Sequence, residues 1–282
     1  EPERSEMLGQ HKLAWISLLA VGLSAGSAAA QGPPVGTAQT AAPVPTREQF
    51  LASYRAWFRN VTNFGNRSDI NLGWMHEVPE YRAMVDMGIG ILPYAIEQVR
   101  EDRRALVLWD LIHDLTHTEY NQVFPPFKSG LSNEQQGERA RQALLQWWEG
   151  GAARAKQQFD GAIAEWDRLR DTKSGRTILF STDSMLYYEG FVTTLAPKET
   201  PAGKAYRELY ELGAPVLPYL VERIETGDVQ LVPAFQKITA GKFAPPDWQT
   251  REERIAGVKQ WWEANRAHWL VPWPEKTDKA PK

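Results

Sequence analysis

An internal repeat constrains this chain's fold more than any other sequence feature. Tyr81-Arg82, Gly88, Leu92-Pro93-Tyr94 and Glu97 recur without a gap as Tyr206-Arg207, Gly213, Leu217-Pro218-Tyr219 and Glu222. Farther on, Gln146-Trp147-Trp148-Glu149 returns as Gln260-Trp261-Trp262-Glu263. Upstream, Phe50, Tyr54 and Trp57 share the spacing of Phe159, Ile163 and Trp166. Self-similarity at this scale means that one supersecondary unit occurs twice, each copy burying an apolar face.

The units read as helical. Phe50, Leu51, Tyr54, Trp57, Phe58 and Val61 mark one face at helical spacing. Thr46 with Gln49, Ser132 with Gln135 and Thr250 with Glu253 are capping boxes, which open helices. Gly88 and Gly213 follow short apolar helices, where glycine permits a left-handed cap. Pro93 and Pro218 fit the first turn of the next helix, where a missing N–H costs nothing. A further helix covers 106–115 or 231–238 and stops at Leu115-Thr116 or Ile238-Thr239. The last helix of each copy is expected to close on its Trp pair. Only Thr177 to Phe180 reads as a strand, too short to found a sheet.

Helix pairs in tandem stack into solenoids. The Gly-x-x-x-Leu-Pro-Tyr pattern, the Leu-Thr or Ile-Thr stop and the Trp-Trp-Glu helix resemble bacterial HEAT-like repeats. The resemblance implies an all-α fold, two tandem HEAT-like units forming a short α-solenoid, with a protein or peptide partner on a concave face. It implies no catalytic residues. The expected organisation is a leader at 1–30, a Pro/Ala-rich disordered linker at 31–45, unit one at 46–151, unit two at 152–274 and a disordered tail at 275–282.

The leader has Lys12 before an apolar run, Leu13 to Leu23, and ends in Ala28-Ala29-Ala30. These are the parts of a secretory signal peptide starting at Met7. They predict export to the periplasm or beyond, with no stable membrane span after cleavage. The chain has no cysteine, so packing alone must hold an exported fold, and cysteine-based metal sites and nucleophiles are excluded. Without the leader, 30 basic residues face 32 acidic ones. Near-neutrality argues against nucleic acid as a partner.

Two side-chain sets invite chemistry. His113 and His117 lie one helical turn apart, with Asp110, Asp114 and Glu119 close by. Such spacing suits either two imidazole ligands to a metal or a solvated, capped helix end. The zinc-peptidase Glu is missing after the first His, and the second copy carries no histidine there. Trp147, Trp148, Trp261 and Trp262 recur at matched positions, which points to packing. Neighbours on a helix diverge by about 100°, so one of each pair is expected in the core and the other over a neighbouring helix or a groove. Glu97 and Glu222 recur in early helical turns, where a carboxylate complements the dipole. Ser181 to Pro197 holds a dense apolar cluster for a junction core or ligand groove. No serine-hydrolase turn or phosphate loop is present, and no cofactor is implied.

The resulting expectation is a non-enzymatic interaction scaffold. The alternative is a glycan-binding or wall-hydrolysing protein with an aromatic- and carboxylate-lined cleft.

Overall fold

Three capping boxes form as their sequences predict. Thr46 N–H donates to Gln49 Oε1 at 2.8 Å while Gln49 N–H donates back to Thr46 Oγ at 3.3 Å. Ser132 with Gln135 and Thr250 with Glu253 make the same reciprocal pair. These boxes start the three longest helices in a computed structural model that describes residues 45–63, 76–170, 201–243 and 250–275.

The helices are α1 (Arg47–Asn63), α2 (Pro79–Asp86), α3 (Leu92–Glu101), α4 (Trp109–Thr116) and α5 (Tyr120–Val123). They continue as α6 (Asn133–Arg170), α7 (Pro201–Glu211), α8 (Leu217–Glu225), α9 (Val232–Ile238) and α10 (Arg251–Trp269). Short 3-10 segments lead into α3, α4, α8 and α9. No strand occurs among the described residues, so the fold is all-α. No helix among them is long and apolar enough to cross a membrane. The leader, most of the linker, the 177–180 stretch, the 181–197 cluster and residues 276–282 lie outside the described residues.

The sequence repeat has counterparts in packing. Trp57 meets Tyr81 with ring centroids 5.7 Å apart, and Trp166 meets Tyr206 at 4.9 Å. Phe50 meets Tyr94 at 6.3 Å, and Phe159 meets Tyr219 at 5.8 Å. Pro93 and Pro218 occupy the first turns of α3 and α8. Thr116 and Thr239 are both fully buried, and each is followed by a left-handed residue, His117 at φ 52° and Ala240 at φ 50°. Gly88 and Gly213 have φ 73° and 72°, with ψ at −173° and −158°. That is not the expected left-handed cap but the region that glycine almost alone enters.

Three expectations change in detail. The helix expected at 106–115 begins as a 3-10 run, Arg103–Leu108, and becomes α-helical only at Trp109. Helices do not close on the Trp pairs. α10 continues to Trp269, and α6 is one run interrupted at Gly151, whose φ 54° and ψ −149° leave the helical region. The unit boundary drawn at 151/152 falls on that break, and all described residues belong to one compact unit, 40–282. Trp147 and Trp148 are both buried, at 2% and 4% exposure, because Trp273 packs on both at 5.1 and 5.4 Å. Trp261 and Trp262 are both half-buried.

Glu97 lies in the second turn of α3, beyond the reach of the dipole, and takes both hydrogen bonds of the Arg47 guanidinium at 2.7 and 3.0 Å. That bidentate bond holds the Glu97 carboxyl below its usual range. Its counterpart Glu222 lies near Lys156, whose closer bond is to Asp160 at 2.7 Å.

Candidate functional site

α4 carries a set of polar groups from its first turn to its C-terminal end. Asp110, His113 and Asp114 share this helix, whose apolar side buries Leu111, Ile112 and Leu115. Thr116 ends it by donating its hydroxyl to the Ile112 carbonyl at 2.7 Å. The left-handed His117 then turns the chain into Thr118, whose hydroxyl donates to the Leu212 carbonyl at 3.1 Å. Glu119 N–H donates to the Glu211 carbonyl at 2.9 Å. The α4 end is thereby bonded to the α7 end, and Gly213 lies so close that a Cβ there would stand 2.4 Å from the Thr116 oxygen.

The two histidines singled out by spacing have separate partners. His113 Nδ1 lies 2.9 Å from the Thr118 carbonyl oxygen. The His117 ring stacks on Trp269, centroids 5.8 Å apart. Burial, then the neighbouring His113, pushes the His117 pKa down against the opposing pull of Asp114. Among the described residues no group of three or more His, Cys, Asp or Glu is arranged to hold a metal ion.

His76, absent from the sequence reading, joins the acids instead. Its Nδ1 is 3.5 Å from Asp114 Oδ2 and its Nε2 is 3.7 Å from Asp110 Oδ2. Its ring meets the edge of Tyr81 at 4.7 Å. The buried Tyr81 hydroxyl donates to Asp114 at 2.7 Å. Burial first, and then the Asp114 bond, push that hydroxyl far above the usual tyrosine range, so it stays a donor. The cluster is half-exposed, and its two carboxylates can pair with a cationic group.

The second half provides an internal comparison. Tyr206, the repeat of Tyr81, donates to the Gln230 carbonyl at 2.8 Å and accepts from Ala234 N–H at 3.0 Å. Its hydroxyl therefore bonds to backbone groups where that of Tyr81 bonds to a carboxylate. Matching Leu115-Thr116 to Ile238-Thr239 puts Lys237 at the place of Asp114, and Gln236 at that of His113. The signal for the cluster was legible there: one repeated tyrosine faces acids that only one copy carries. His76 gave no such signal, lying outside the matched repeat positions.

The remaining positions have packing roles. Tyr219 packs tilted against Phe159, donates to the Ala152 carbonyl at 3.1 Å and lies 5.7 Å under the Lys156 ammonium. Trp261 packs edge-on to Phe235 and Phe243 at 5.4 and 5.7 Å. Beside α4, Trp109 meets Phe124 at 4.6 Å, and Phe124 stacks with Tyr120 at 4.3 Å. Tyr120 and Phe127 are 55% and 78% exposed, which leaves aromatic surface for a ligand.

No family model, curated protein or solved structure matches this chain.

Proposed function

We propose that this protein is an exported, non-enzymatic scaffold built from two HEAT-like helical units that bind a protein or peptide. The observation carrying the reading is the recurrence of side-chain packing at repeat positions, the Trp57–Tyr81 and Trp166–Tyr206 pairs above all. Repeated helical units present extended surfaces for binding, while fold alone names no partner. Asp110, Asp114 and His76 supply a polar anchor in the first unit, where the repeat places Pro233 and Lys237 against Asp110 and Asp114 in the second. The α10 contact with Ile89–Ile91 of the first unit ties the two units closer than a strictly open array requires.

The test is affinity capture from envelope extract with the full chain, followed by titration of the purified partner. A single protein partner whose binding weakens several-fold in Asp110→Asn/Asp114→Asn supports the scaffold. Recovery of glycan without protein overturns it and favours the second reading, glycan binding through the exposed Tyr120 and Phe127.

A further inference from the structure

The break at Gly151 sets the first Trp pair apart from the second. Trp147 and Trp148 precede it on α6, and the chain turns away where Gly151 leaves helical geometry. Trp273 fills the turn. Its ring lies 5.1 Å from Trp147 and 5.4 Å from Trp148, and its Cβ and Cγ come 3.7 and 3.8 Å from the position of a Gly151 Cβ. α10 has no such break after Trp261-Trp262, and that pair stays half-buried.

The segment delivering Trp273 is built like a bound peptide. It leaves α10 at Leu270, which is extended at φ −74° and ψ 118°. Pro272 and Pro274 flank the indole, restricting the backbone before any contact is made. The Leu270 and Trp273 N–H groups donate to Arg266 and Val271, close in sequence. Buried Val271 and the Trp273 ring thus make the contact with the body by side chain.

We propose that Trp147, Trp148 and Gly151 form an indole-accepting notch, a binding site for tryptophan flanked by prolines in an extended peptide. Pro272-Trp273-Pro274 is its built-in occupant, a strap that an external peptide of the same chemistry displaces. The notch goes beyond the scaffold reading and does not depend on it. A tethered ligand on a short linker acts at an effective concentration of about millimolar, so the strap masks the notch from weaker competitors.

The test uses the full chain carrying Trp273→Ala and a synthetic peptide of residues 270–275, with binding followed by calorimetry. The expected result is saturable binding to the folded variant and at least about tenfold weaker binding to the wild-type chain, whose own strap competes. A peptide with alanine for its tryptophan should not bind. A variant with native helical circular dichroism that binds no peptide overturns the proposal. So does failure of both Trp273→Ala and Trp273→Phe to fold, because Trp273 would then be an integral part of the core.

Discussion

Replacing Gly213 and Gly88 with alanine, one at a time, separates backbone strain from close approach. The two glycines share a conformation, φ 72° and 73° with ψ near the extended limit. An alanine there costs roughly 1–3 kcal/mol at either position. Their surroundings differ. A Cβ on Gly88 meets nothing within 4 Å, whereas one on Gly213 falls 2.4 Å from the Thr116 oxygen and 2.6 Å from both His117 C and Thr118 N. Those contacts are roughly 1 Å too short for van der Waals packing. The α4 end must retreat, straining the Thr118–Leu212 and Glu119–Glu211 hydrogen bonds, each worth about 1 kcal/mol. Gly213→Ala should therefore lose about 3–5 kcal/mol and Gly88→Ala about 1–3 kcal/mol. Urea unfolding followed by far-ultraviolet circular dichroism measures both, with unchanged m-values licensing the comparison. Equal losses, or a larger one at Gly88, would refute the close approach at the junction.

Three other outcomes are expected. Tyr206→Phe should destabilise by about 2 kcal/mol and Tyr81→Phe by about 1, because the first removes two hydrogen bonds to the backbone and the second removes one to a half-exposed carboxylate that water can reach; urea midpoints would show the order. Ala240→Gly should raise stability by about 0.5–1 kcal/mol, since a left-handed residue exchanges for one without a Cβ penalty; a lower midpoint would count against the left-handed turn. His117 is depressed on folding, so its contribution is fully present above its unfolded pKa of about 6.5 and is lost as pH falls through the folded value. The urea midpoint should drop between pH 7.5 and 5.5, and His117→Asn, which tolerates the left-handed turn, should flatten that slope.

Local signals accounted for helix starts and tertiary approach for most of the rest. Thr46, Ser132 and Thr250 each cap a helix through a partner three residues away, so short-range chemistry is sufficient. The spacing of Phe50, Tyr54 and Trp57 likewise implied a buried face, because helical period is a property of the chain. The repeat itself marked which residues pack alike, and Trp57–Tyr81 and Trp166–Tyr206 do. Local pattern could not reveal that Trp273, more than 120 residues downstream, covers both indoles of the first pair. Nor could it bring His76 to Asp110 and Asp114, or assign Glu97 to Arg47 rather than to its helix dipole. Those partners meet only when separate helices dock, and docking is decided by the shape and burial of whole faces. The sequence by itself determined where helices begin, which faces are apolar and that one pattern occurs twice. The tertiary structure alone decided that the acids of the first copy would meet Tyr81 and His76, because those groups lie on separate elements that come together only on docking.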